Sequence, residues 1–360
     1  MPCYYRPRTG RKALTAAALL IVLTSHAHAA CQYAPGHSGQ VSFDMDMGTL
    51  WMPRDLREGE VIASATPTLV TPTRVNCFYE AAREVRAELI NTAPIALIAA
   101  PWGRNLSTQY PILQTRIPGI GVTIGLGAPY DGALVPAYNR FIADSGTLTA
   151  IPFSGGMRRD TGLTAQMEII RPTVTLVKTG PIAPGPHTID EELFHGILDI
   201  MGKVLDFRFK ATINQAQCNL RPDAVSADPV QLGDYSVSDF PNPPGNARTV
   251  PFHIRLNDCQ DDSAGSVTTV YIRLDGARGS TPVDRDLGLF SLTSNSTATG
   301  LGIQMQRADG TPMPLEREVP VKRLNIGITQ LDFQARFYQT AAKVTPGLAE
   351  GALNFTVSYQ

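Results

Sequence analysis

Residues Leu353-Asn-Phe-Thr-Val-Ser-Tyr359, followed by Gln360, alternate apolar and polar side chains without a break. Successive side chains of a strand point to opposite faces, so Leu353, Phe355, Val357 and Tyr359 share one face and Asn354, Thr356 and Ser358 the other. The stretch predicts a half-buried strand at the end of the chain, with no partner strand after it. Its ordinary reading is the last strand of a β-sandwich. Working outward, Val267–Leu274, Leu301–Met305 and Leu331–Phe337 alternate in the same way, and Val174 and Leu176 with the flanking Ile169 and Ile170 make another short strand. The 360 residues include 31 glycines and 28 prolines, spread without a repeat. Many short strands between frequent turn residues imply an all-β chain of sandwiches or barrels. Helical periodicity is confined to Cys77–Leu89 and Asp190–Met201. The second is interrupted by Gly196, and both also read as strands or loops.

At roughly 100–200 residues per domain, the length predicts two domains. The Pro-rich Thr179–Pro186 is one candidate linker and Lys210–Gln217 another. The second is preferred, because the strand-like Val204–Phe209 then closes the first domain. The expected organisation is 1–29 as a signal peptide, 30–208 as a first β-sandwich domain and 209–360 as a second. The signal reading rests on basic Arg6, Arg8, Arg11 and Lys12, the apolar run Ala13–Leu23 and the cleavage pattern Ala27-His28-Ala29. An acylated Cys31 is the alternative, disfavoured by His28 where a lipoprotein signal usually has Leu. Later apolar runs stay short of the ~18 residues of a membrane helix, and the longest, Ala93–Trp102, is broken by Pro94 and Pro101. The expected mature chain is exported and soluble. Removing the four basic residues of the signal from the 31 leaves 27 against 32 acids, a net charge of −5. That mildly acidic balance gives no basic face for nucleic acid.

Four cysteines remain after the signal: Cys31, Cys77, Cys218 and Cys259. An even count in an exported chain reads as disulfides, and three pairings are possible. Cys31–Cys77 with Cys218–Cys259 is the simplest, one bridge per domain. Zinc would need clustered ligands such as C-x-x-C, and the sequence has none. No cofactor is expected. Nor is an enzyme, since neither G-x-S-x-G nor H-E-x-x-H occurs. His37, His187, His195 and His253 are scattered single residues. Glu192 and His195 form one E-x-x-H, whereas a di-iron site needs two on a helical bundle. Gly119, Gly121, Gly125 and Gly127 have the wrong spacing for a dinucleotide loop and precede no helix, so they read as close backbone approaches in a strand. Asp258, Asp261 and Asp262 read as an acidic surface loop.

The stretch from about Cys218 to Gln360 resembles the pilin domain of chaperone–usher fimbriae. The match is carried by the alternating terminal strand with penultimate Tyr359, by Gly347 fourteenth from the end, by a cysteine pair of the spacing of Cys218 and Cys259, and by LDFQARFYQTAAKVTPGLAEG at Leu331–Gly351. The first domain resembles a tip-adhesin receptor-binding domain, through VSFDMDMG at Val41–Gly48, QTRIPGIGV at Gln114–Val122 and TLVKTG at Thr175–Gly180. Together they are similar to the two-domain adhesins related to the type 3 fimbrial adhesin. The resemblance implies a lectin-like N-terminal sandwich and an incomplete immunoglobulin-like sandwich that lacks one strand. A periplasmic chaperone would lend that strand. An outer-membrane usher and the N-terminal strand of the next fimbrial subunit would then complete assembly. Gly347, Leu353, Phe355, Val357, Tyr359 and the carboxylate of Gln360 would meet the chaperone or donor strand. Cys31 follows the expected cleavage site after a single Ala, so the mature chain is expected to accept a strand but not give one, which would place it at the fibre tip. The receptor would be a host glycan or matrix protein. Trp51, Trp102, Tyr110, Tyr130 and Tyr138 are candidate contacts, each equally readable as a core aromatic. A structural minor pilin or adaptor without receptor binding is the alternative function; a secreted hydrolase is a third reading and lacks any motif.

Overall fold

The computed structural model describes residues 1–3, 30–78, 84–96, 110–131, 140–157, 164–166, 168–198, 201–245 and 247–360. The expected signal peptide, Trp102 and Tyr138 lie outside the described residues, as do 79–83 and 199–200 of the two helical candidates. The described residues are built of β-strands, with a 3-10 turn at Val237–Asp239.

Two apolar cores organise the strands. The first gathers residues from Cys31 to Ile213, and the second residues from Cys218 to Tyr359. In the first, Val41–Pro53, Gly202–Val225, His187–Leu198, Val85–Asn91, Phe153–Met157 and Ile142–Ala143 form one sheet. Val61–Ala65, Thr173–Lys178, Ile120–Gly125 and Ile112–Gln114 form another. Val41, Phe43 and Met45 alternate inward from Val41–Pro53, and Val85, Ala87 and Leu89 from Val85–Asn91 in the same sheet, which is how a strand buries one face. The segments QTRIPGIGV and TLVKTG are neighbours: Ile120–Gly125 pairs antiparallel with Thr173–Lys178, from Lys178 opposite Ile120 to Thr173 opposite Gly125. Glycines in this strand mark close approaches. A Cβ on Gly125 would stand 2.9 Å from the Tyr110 ring.

The second core lies between two more sheets. One contains Val250–Gln260, Gly327–Gln339, Leu301–Arg307, Leu289–Ser291 and Pro282–Asp284; the other contains Val319–Arg323, Thr269–Gly276 and Leu353–Tyr359. The Cys218–Cys259 disulfide ties the first strand of this sandwich to the end of the second.

Gly202–Val225 belongs to both halves. Its first part pairs antiparallel with His187–Leu198 and parallel with Val41–Pro53, and its last part antiparallel with Val250–Gln260. Lys210–Gln217 is therefore strand throughout and not an irregular linker. Ala211 and Ile213 pack in the first core, beyond the expected boundary at 208, and Cys218 in the second. The described part of the helical candidate Asp190–Met201 up to Leu198 is strand: His187–Leu198 has register shifts at Glu192/Phe194 and Gly196/Ile197. The first shift leaves Leu193 as an extra residue on this strand, so Leu193 and Phe194 are both buried and imitate helical spacing; the second leaves Val204 extra on Gly202–Val225. In the other helical candidate, Val75–Phe78 and Val85–Asn91 are strands.

Candidate functional site

The terminal strand is built as its alternation requires, but among the described residues only one of its edges pairs with a strand. Leu353–Tyr359 pairs antiparallel with Thr269–Gly276 over seven residues, from Gly276 opposite Leu353 to Val270 opposite Tyr359. No described strand pairs with its other edge, so it ends its sheet. Asn354 and Thr356 are exposed. Leu353, Phe355 and Val357 are only partly buried against the second core. An edge strand with a half-buried apolar row and unpaired backbone groups is a template for another strand.

Tyr359 departs from this pattern. It shares the face of Phe355 and Val357 yet is 3% exposed. Its hydroxyl donates to the Cys218 carbonyl at 3.2 Å, and the Arg54 guanidinium lies 5.0 Å above its ring. Burial pushes its phenol pKa up. Unlike Phe355, Tyr359 has its side chain packed within this chain, against Cys218 and Arg54. Gln360 continues the ladder, its backbone exchanging hydrogen bonds with Thr269, while its Nε2 donates to Glu318 Oε2 at 2.8 Å. Gly347 lies before the strand, not in it. A Cβ there would stand 2.5 Å from Thr297 Oγ1 and 2.6 Å from the Ala298 nitrogen, so glycine lets this turn seat against residues 297–298.

The aromatic candidates separate. Tyr130 is wholly buried, 5.4 Å from the Phe141 ring in a stacked pair and 5.5 Å from Phe153 edge-on, with a hydroxyl that finds no partner. It is a core residue, and burial pushes its phenol pKa up. Trp51 and Tyr110 are half-buried.

Of the polar residues singled out in the sequence, Glu192 accepts from Lys203 Nζ at 3.0 Å and lies 3.6 Å from His195 Nδ1, on a strand. Asp258 is exposed and paired with Arg221. Asp261 is 3% exposed, which corrects its reading as surface: its carboxylate accepts from the Ser266 hydroxyl at 2.6 Å and from the nitrogens of Asp262 and Val267, shaping the 261–267 turn. Among the described residues no three His, Cys, Asp or Glu side chains gather to hold a metal. Cys31 is disulfide-bonded and stands directly across the strand pair from Cys77, whose side chain lies outside the described residues.

Sequence reasoning missed the neighbours of the strand's end, Arg54 and Asp55. They are 304 residues away in the chain from Tyr359 at the Asp55 contact, and no local pattern joins them.

The comparisons agree with this picture of the second half. The family described as Fimbrial protein matches residues 207–360. The type-1 fimbrial protein A chain of Escherichia coli K12 is 32% identical over 155 residues, covering 42% of this chain and 81% of that one. The chain thus belongs to the fimbrial protein family. Among solved structures, the receptor-binding domain of the adhesin MrkD1P of Klebsiella pneumoniae overlaps 53% of this chain and 99% of its own, with 19% identity and a TM-score of 0.34. The CupB6 tip adhesin of Pseudomonas aeruginosa overlaps 91% and 92%, with 15% identity and a TM-score of 0.34.

Proposed function

We propose that this chain is a fimbrial tip adhesin, in which the second sandwich accepts a strand along Leu353–Val357 and the first meets a receptor. The observation that carries the reading is the unpaired edge of the terminal strand above a half-buried apolar row, in a fimbrial-family domain joined to a second sandwich with a core of its own. A shaft subunit needs only the one domain. The core assignments favour receptor and pilin domains meeting between Ile213 and Cys218. A Cys31–Cys77 bridge in the first domain fits the facing positions of those residues.

The partners of this reading are a periplasmic chaperone that covers the edge, an outer-membrane usher, and a following subunit that replaces the chaperone strand. The chain is exported and ends on the extracellular fimbrium of a Gram-negative bacterium. The receptor is a host glycan or a matrix protein, met by side chains that stay unassigned.

The test is co-expression of the full chain with the chaperone of its fimbrial system. Wild type co-purifies and Phe355→Asp does not, because a charge on the covered face is buried unpaired at several kcal/mol. Co-purification of Phe355→Asp at wild-type yield rejects strand acceptance. The chaperone-bound chain is then applied to a glycan array and to collagen. Binding to neither supports the adaptor reading instead.

A further inference from the structure

We propose that Asp55, in the first sandwich, is an end-stop built into the acceptor edge. It occupies the last rung, at Tyr359, so that an added strand pairs with Leu353, Phe355 and Val357 and goes no further. The inference rests on the strand-acceptor reading and adds where the added strand must end and what ends it.

The ladder fixes which residues face the open side. Thr269 and Gln360 exchange both backbone hydrogen bonds, at 2.7 and 3.1 Å. Hydrogen-bonding residues alternate along an antiparallel pair, so Tyr359, Val357, Phe355 and Leu353 turn their N–H and C=O groups away from Thr269–Gly276. At Tyr359 these groups are already used. The Asp55 N–H donates to the Tyr359 carbonyl at 3.0 Å, and the Tyr359 N–H donates to Asp55 Oδ2 at 2.9 Å. One residue thus offers a donor and an acceptor to the rung, as a residue of a partner strand would, with a carboxylate oxygen in place of a carbonyl. The charged acceptor makes this the stronger kind of hydrogen bond.

Asp55 is held from two sides. The 54–60 loop joins Val41–Pro53 to Val61–Ala65, and it is clipped to Lys178: Gly59 N–H donates to the Lys178 carbonyl at 2.7 Å and Lys178 N–H to Glu60 at 3.0 Å. The Lys178 ammonium donates to the Arg54 carbonyl at 3.3 Å, and burial holds its pKa below the usual lysine value. Arg54 in turn donates its N–H to Ala216 at 3.2 Å and covers the Tyr359 ring. The lysine of the TLVKTG segment therefore fixes the loop that caps the terminal strand. Asp55 acts as a positioning residue for the partner strand without belonging to the sandwich that receives it.

The test reads amide hydrogen exchange at single residues in the full chain bound to its chaperone, for wild type, Asp55→Ala and Asp55→Asn. Asp55→Ala is expected to speed exchange at Tyr359 at least about tenfold while Phe355 and Val357 stay within about twofold of wild type. Asp55→Asn keeps an oxygen acceptor and restores most of the protection. A wild-type exchange rate at Tyr359 in Asp55→Ala with no newly protected amide on the chaperone strand overturns the end-stop, as does Asp55→Asn behaving like Asp55→Ala; a chaperone amide newly protected opposite Tyr359 is the added strand running past the missing stop and supports it. Phe355 and Val357 report separately on the reading beneath it: if they exchange as freely as exposed amides in the wild-type complex, no strand has been added at this edge.

Discussion

Ile120–Gly125 and Leu353–Tyr359 are both short, largely apolar strands, one in each sandwich, and they end in opposite situations. Every residue of Ile120–Gly125 is buried, and both its edges are paired, with Thr173–Lys178 and with Ile112–Gln114. Leu353–Tyr359 is paired on one edge, and its apolar row is only partly covered. Composition does not separate them. What differs, among the described residues, is whether a strand pairs on the second side. The first strand has used its apolar surface in folding, and the second leaves part of its own uncovered.

Four outcomes would break or sharpen that contrast. The largest concerns the Cys218–Cys259 bridge: replacing both cysteines by Ala is expected to cost about 2–5 kcal/mol, enough to unfold the second sandwich at 37 °C while the first still melts cooperatively. Two unchanged transitions in a calorimetric scan would contradict this. Next, Ile124→Ala in the closed strand should cost roughly 2–5 kcal/mol. Phe355→Ala should cost about half as much in the chain alone, since its side chain is half-covered, yet reduce chaperone capture sharply. Equal losses of stability at the two sites would erase the distinction between closed and open strands.

A smaller effect is expected at Tyr130. Its hydroxyl is buried without a partner, so Tyr130→Phe should be neutral or stabilising by about 1 kcal/mol. The sign with pH follows from the raised phenol pKa. Above about pH 10 an unfolded tyrosine loses its proton while the buried one keeps it, so stability is full below that pH and falls as pH rises. Alkaline unfolding of Tyr130→Phe should therefore begin at higher pH, and an identical midpoint would argue against full burial. Smallest of all, Thr356→Ala lies on the exposed face and should change stability by less than about 0.5 kcal/mol and leave capture intact.

Much of this was legible in the sequence where period-2 alternation is clean and the neighbours are local. The terminal strand and the Cys218–Cys259 pair are of this kind. Lys210–Gln217 was harder because its inward residues are Ala211, Ile213 and the buried Gln215, a small and partly polar row that does not read as apolar. His187–Leu198 resembled a helix because its bulge at Leu193 brings Leu193 and Phe194 to the same side, and because the acidic Glu191, 7% exposed, faces inward. Glu191 accepts the Arg116 N–H at 3.0 Å, a partner no local pattern indicates. The cap on Tyr359 was illegible for the same reason.

The unbroken Gly202–Val225 strand has a mechanical consequence. Tension pulling the two cores apart along its axis would run down one extended backbone, with no slack loop between them to take up the extension. Toward the first core it would load the eleven facing positions of the parallel ladder with Val41–Pro53 in shear, many hydrogen bonds at once. Toward the second it meets the Cys218–Cys259 bond, which does not yield to shear. In a single-molecule pull the first sandwich would therefore lengthen before the second, and its extension would appear as a discrete step.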